Sequence, residues 1–332
     1  MTSNKSTNQT LCDPVSTSSL PAFIFLYSLV FLVGSILNSF TLWFQFCRAQ
    51  KNISKSWMIY LKNLIATDFL LCLTLPLRIA DYADKSVTVH LFYCTFGAPI
   101  FYLNMYTSIL LMGYIAASRY MKIFHPLRTS FLMTARAARS ISVTTWVFFL
   151  VPLPVYIILM LGTKRTSPPA RTCDVLLSEP AQQLYIFIHA AAFVVFLSVL
   201  FSLVFFYYSI SRRVLQIQQR RLGSFNSKKL VTSRRNVLVL VSVFCICFVP
   251  YHVVRLLYVI LRGQCSVVLY YLKEVTILIS VFNICLDPLI YVFLCKDFRA
   301  QLNLQQMFST TKDSSLSVSE AEDRSDNQPT QQ

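Results

Sequence analysis

Between Pro14 and Cys47 the chain carries no charged side chain over 34 consecutive residues, and two more charge-free runs cover Leu91–Ser118 and Pro180–Ser211. A helix needs about 20 mostly apolar residues to cross the hydrocarbon of a bilayer. Runs of this length have no place in the core of a water-soluble domain, so they constrain the chain to a membrane. Four more segments qualify: about Trp57–Ala80, Ser140–Leu161, Asn236–Ile260 and Tyr271–Cys295. The last is the weakest, since Lys273, Glu274 and Asp287 interrupt it, but the stretches on either side of Asp287 are apolar. The expected fold is an all-α membrane protein with seven transmembrane helices. Composition agrees, with 55% apolar and 13% charged residues against about a quarter charged in soluble domains.

The formal charge of +16 is not spread evenly. Arg48, Lys51 and Lys55 follow the first span. Arg119, Lys122, Arg128, Arg136 and Arg139 follow the third. Arg212, Arg213, Arg220, Arg221, Lys228, Lys229, Arg234 and Arg235 follow the fifth, with no acid among them. The alternate loops mix Asp81, Asp84, Asp174 and Glu179 with a few cations. Lys and Arg gather on the cytoplasmic side of membrane proteins, so the N-terminus is expected outside and the C-terminus inside. The first twenty residues are polar and show no cleavable signal, which leaves the first span as the targeting signal. Asn4 and Asn8 open N-x-S/T acceptors on the expected outer side, whereas the match at Asn52 falls inside and reads as chance.

Of ten cysteines, Cys12, Cys94, Cys173 and Cys265 fall on the outer, oxidising side. Four cysteines allow three pairings. The favoured one joins Cys94 to Cys173, tying the top of the third span to the second outer loop, and Cys12 to Cys265. The alternative leaves one or more of them free.

The polar residues inside the spans carry a family likeness. They are Asn38 in Gly34–Asn38, Asp68 closing Asn63–Asp68, and Ser118-Arg119-Tyr120 at the end of the third span. Trp146, the run Phe244–Tyr251 with Pro250, and Asn283–Tyr291 with Asp287-Pro288 complete the set. Over about residues 20–307 the chain resembles a rhodopsin-like (class A) G-protein-coupled receptor. Within that family it is similar to the group that holds the purine-nucleotide (ADP and UDP-sugar) receptors and the lysophosphatidylserine receptor. This narrower likeness rests on Phe101–Tyr106, Tyr251–Tyr258 and Lys273–Thr276.

The residues divide the chain into an outer glycosylated segment over 1–20, a bundle over 21–295, an amphipathic eighth helix over 296–307 and a polar tail over 308–332 that is expected to be disordered. The resemblance implies a heterotrimeric G protein of the inhibitory class as partner, with arrestin and receptor kinases acting through the Ser-rich tail. No cofactor is expected beyond a structural sodium ion, which the resemblance places among Asp68, Ser108, Asn283 and Asp287. A hydrogen-bonded helix-packing cluster without an ion is the rival reading. Arg119 is implied as the transducer, moving toward Tyr207 and Tyr291 on activation. Pro250 is the pivot, with Phe244 and Phe248 packed beside it.

Arg78 stands ten residues outward of Asp68, Arg255 five outward of Pro250, Lys273 at the mouth of the seventh span and Arg171 beside Cys173. Any one such cation could reach for lipid headgroups, but cations on three spans together point inward. With Tyr102, Tyr106, His252 and Tyr258 as a wall, they suit a small anion, because guanidinium pairs bidentately with phosphate or carboxylate. A nucleotide and a lysophospholipid both satisfy this. Phe101 stands where an amine receptor would hold an acid, so a cationic ligand is not expected.

An organic-anion transporter is the alternative, disfavoured by six Gly and the absence of repeated halves. No catalytic motif is present, and no nucleic-acid partner is expected, since the basic residues sit in short loops between spans. Membrane lipids are the surroundings.

Ser118 replaces the acid that the family usually places before its arginine, so the resting state should be weakly restrained. Ser118→Asp is expected to lower ligand-free guanine-nucleotide exchange below that of the parent chain. An unchanged or higher basal rate contradicts this.

Overall fold

The computed structural model describes residues 20–47, 56–84, 86–125, 134–162, 173, 179–219, 225–261 and 267–294. Among them, seven stretches are long and apolar enough to cross a membrane, and no strand occurs. The helices are α1 (Leu20–Cys47), α2 (Ser56–Ala83), α3 (Val87–Phe92), α4 (Ala98–Phe124), α5 (Ala135–Leu150), α6 (Pro152–Leu161), α7 (Glu179–Gln219), α8 (Phe225–Ile260), α9 (Val267–Val281) and α10 (Asn283–Leu294). The expected seven-helix fold is therefore present. The Cys12 and Cys265 pairing, Asn4, Asn8, Arg171, the eighth helix and the tail all lie outside the described residues.

Three spans are broken where the sequence predicts single helices. The third opens with α3 and a π-helical turn over Tyr93–Gly97 before α4. The fourth divides at Val151, ahead of Pro152, whose ring removes a backbone donor. The seventh begins at Val267, earlier than the expected Tyr271, and is interrupted at Phe282 between α9 and α10. Its Lys273 and Glu274 lie inside the helix, both buried, not at its mouth. Helix α7 runs unbroken for 41 residues.

Two compact units are distinguished, residues up to Pro288 and residues from Leu289 onward. The described part of the second is Leu289–Leu294, the end of α10, which carries Tyr291. The other described site residues lie in the first.

Helix α4 is the hub, packing against α2, α5, α7 and α8, while α2 also meets α1 and α5. Apolar side chains on the outer faces stay uncovered by protein. Phe25, Leu29, Leu32 and Ile36 on α1 are all exposed, at the three- and four-residue spacing of one helix face. In a bilayer that face meets lipid. Lipid tails give no hydrophobic drive for helix association, so close packing and buried hydrogen bonds must supply it.

Both are visible. Asn38 Nδ2 donates to Gly34 O at 2.9 Å and to Ile284 O at 2.8 Å, joining α1 to the start of α10. Trp146 Nε1 donates to Asn63 Oδ1 at 2.8 Å, joining α5 to α2. A Cβ on Gly113 would lie 3.1 Å from Val199 Cγ1, so the missing side chain lets α4 approach α7 closely.

Candidate functional site

Helices α2, α7, α8 and α9 bring the expected cations into one outer cluster. Arg78 Nη2 lies 2.5 Å from Glu274 Oε2 and 2.9 Å from the Tyr82 hydroxyl, which itself donates to Glu274. Lys273 Nζ lies 3.4 Å from the other carboxylate oxygen of Glu274. The Arg78 guanidinium also rests over the rings of Tyr82 and Tyr93, at 4.7 and 4.8 Å. Tyr258 receives both Arg255, at 5.4 Å, and Lys273, at 5.1 Å. Arg255 lies 5.2 Å from the ring of Tyr185 on α7. Arg255, Lys273 and Glu274 are all buried. The cations thus face one another and not the lipid.

Glu274, Tyr82 and Tyr185 were absent from the residues singled out by sequence for this cluster. Glu274 had a signal, being an acid inside a span, where ionisable groups are rare and functional. Tyr82 and Tyr185 had none beyond their spacing from Arg78 and His189.

Tyr102 and Tyr106 stand on α4. They line a cavity of about 250 Å³ between α4, α5, α6 and α7, with Phe149, Leu153, Tyr185 and Ala192 among its other walls. The rim residues Phe148 and Phe187 are 59% and 71% exposed, which places the opening on the lipid-facing side. His252 is absent from the lining. It is fully buried behind Tyr106, stacked on Phe196 with ring centroids 3.7 Å apart, and donates from Nδ1 to Phe248 O at 2.7 Å.

Phe196 is another residue that sequence missed. Its ring stacks on His252 and on Phe244, which meets Phe248 edge-on at 5.5 Å. An aromatic column therefore runs from His252 past Pro250 toward the inner half. Tyr207 packs at the inner end near Ile210, Val214, Leu230 and Val237. The Arg119 guanidinium lies over the ring of Trp57 on α2, at 4.4 Å.

Cys94 and Cys173 form the expected disulfide, with Cα atoms 5.4 Å apart. His90 Nε2 lies 3.5 Å from Cys94 Sγ and its Nδ1 2.7 Å from Asp81. At mid-membrane, Asp68 accepts from Asn104 at 3.4 Å, and Thr67 and Ser108 are 3.2 Å apart. Asp68, Ser108, Asn283 and Asp287 are all fully buried.

Removing one partner of a buried ion pair costs about 3–5 kcal/mol, because the other is left as an uncompensated charge. Glu274→Gln strips the counter-charge from Lys273 and leaves Arg78 only the longer contact to Asp81, at 3.8 Å, so the purified protein should lose stability on that order, read as a lower Tm. An unchanged Tm contradicts the bridging role.

Residues 37–291 match the family described as 7 transmembrane receptor (rhodopsin family). Among relatives, purinoceptor 14 of Bos taurus is 36% identical over 88% of this chain and 88% of its own length. Purinoceptor 13 of Homo sapiens is 34% identical over 87% and 82%. Probable G-protein coupled receptor 34 of Pan troglodytes is 31% identical over 82% and 72%. Nothing in these matches supports a transporter. The chain belongs to the rhodopsin family of seven-transmembrane receptors, as a multi-pass plasma-membrane receptor that works through a G protein, and it is not an enzyme.

Proposed function

We propose that this receptor responds to an extracellular lysophospholipid with an anionic headgroup, lysophosphatidylserine being the type. One observation carries the choice. Tyr185 bears Arg255 on its ring and also lines the apolar cavity between α4 and α7. Cationic cluster and cavity therefore share a wall, and a ligand held by both needs a charged head and an apolar tail. A tail lying in that cavity keeps company with Phe149, Leu153 and Ala192 and reaches the bilayer past Phe148 and Phe187. A nucleotide would leave the cavity unfilled.

The headgroup phosphate competes with Glu274 for Arg78 and Lys273 and takes Arg255 from above. Each contact is charge-assisted and stronger than its neutral equivalent. As Glu274 loosens its hold, α9 and α8 are free to shift against α2. Pro250 lets α8 bend, and the Phe196, Phe244 and Phe248 stack passes the movement inward. Arg119 then leaves its resting place for the cleft that opens toward Tyr207. Arg171, Tyr102, Tyr106, His252 and Tyr258 are assigned to the ligand wall, directly or one layer behind.

The fold family also implies a sodium ion at Asp68, Ser108, Asn283 and Asp287. The residues fit it, since the Asp68 and Asp287 carboxylates are buried beside each other, and the Asn283 amide is buried without a hydrogen-bond partner among the described residues. When bound, the ion supplies the positive charge that two neighbouring acids require. The outside N-terminus with glycans on Asn4 and Asn8, the inhibitory G protein, and arrestin and kinase docking on the tail complete the reading.

A nucleotide or nucleotide sugar is the second reading, favoured by the relatives named as purinoceptors. A panel of lysophospholipids, nucleoside diphosphates and UDP-sugars on cells expressing the chain, with cAMP as readout, separates the two. Lysophosphatidylserine is expected to lower cAMP. Arg255→Ala should cost its potency about 100-fold or more, and Ala192→Phe should penalise long acyl chains most. A response to nucleotides alone, indifferent to Ala192→Phe, contradicts the lipid assignment.

A further inference from the structure

We propose that the ring face of Trp57 is the catch that holds Arg119 at rest, in place of the carboxylate that the inner loops do not contain. The inference rests on reading Arg119 as the transducer.

The sequence removes the usual means of restraint. Ser118 precedes Arg119 where an acid would pair with it. No Asp or Glu occurs between Asp13 and Asp68, between Asp84 and Asp174, or between Glu179 and Glu274. All three inner loops and the inner ends of the helices joined by them therefore contain no acid. Asp68 and Asp287 belong to the mid-membrane cluster, and the remaining acids before Lys296 lie on the outer side.

The geometry supplies a substitute. Trp57 sits in the first turn of α2, the helix that packs against α4. Its ring carries the Arg119 guanidinium at 4.4 Å, well inside the roughly 6 Å range of a cation–π contact. Tryptophan offers the strongest such face among the side chains. The contact is shielded, because Trp57 is half-buried and Nε and Nη2 of the Arg119 guanidinium are buried. Water competes poorly for the guanidinium at such a place, which strengthens the attraction.

A cation–π contact holds less firmly than a buried ion pair. Arg119 is thus restrained, but by a catch that thermal motion opens more often than a carboxylate lock. Trp57 also lies on α2, the helix that carries Arg78 in its outer half. Catch and ligand cluster therefore lie on the same helix, on either side of Pro76.

The test is ligand-free guanine-nucleotide exchange in membranes, normalised to receptor at the surface, for the parent chain and its variants. Trp57→Leu and Trp57→Met keep apolar bulk but lose the ring, and should raise basal exchange about three- to tenfold. Trp57→Phe keeps a ring and should stay within about twofold of the parent. A purely structural role predicts a fall in all three. Arg119→Ala, alone and combined with Trp57→Leu, checks the transducer itself. Loss of the increase in the double variant supports the catch. An increase that survives without Arg119 overturns the transducer reading. Basal exchange in both Leu and Met variants at or below the parent, with Arg119→Ala still silent, overturns the catch alone. Two ring-free variants are used so that one failing to reach the surface leaves the comparison intact.

Discussion

Buried carboxylates make the outer half of this receptor feasible, Glu274 foremost, with Asp81 3.8 Å from Arg78 beside it. Three cations, Arg78, Arg255 and Lys273, converge inside a bundle bounded by lipid, where each charged side chain costs about 2.5–3.5 kcal/mol or more to place. Glu274 neutralises part of that charge by touching Arg78 with one oxygen and Lys273 with the other. Tyrosine rings take the rest, with Tyr258 serving two cations and Tyr82 serving Arg78 both as a ring and as a hydroxyl. The cluster ties α2 to α9 and α9 to α8, so the same contacts that allow the charges to be buried also couple the helices.

Such an arrangement is stable yet replaceable. A buried ion pair contributes little net stability compared with apolar packing, but losing one partner is costly. On the proposed reading, an incoming anion would restore the balance that it disturbs by pairing with the cations that Glu274 releases, and binding and helix movement would be one event. The aromatic column through Phe196, Phe244 and Phe248 gives that event a continuous packed route past the proline in α8.

Much of the fold was legible because lipid imposes a long, simple pattern. Charge-free runs and the one-sided distribution of Arg and Lys mark spans without reference to contacts. Boundaries were less legible where chemistry competes within a span. Lys273 and Glu274 look like a helix end, yet they lie inside α9 because each offsets the other's charge. Pro152 reads as one proline in an apolar run, but it breaks the fourth span, and the cavity between α4 and α7 is lined on both sides of that break. The cations of the site were visible as cations, since Arg and Lys stand out in apolar surroundings. Trp57 and Phe196 were not, because an aromatic residue in a membrane helix is ordinarily packing or interface. Their roles appear only when a guanidinium or a second ring is placed beside them.

The claim that one ligand occupies both cluster and cavity is tested most directly by covalent mapping. Lysophosphatidylserine with a photoreactive group near the end of its acyl chain would be bound to the receptor, irradiated, and the modified peptides sequenced. The account predicts labelling on the cavity-lining segments around Phe149, Leu153 and Ala192, lost when excess unlabelled lipid is present or when Arg255 is replaced by Ala. Labelling spread over the lipid-facing surface of α1, indifferent to both, would contradict it.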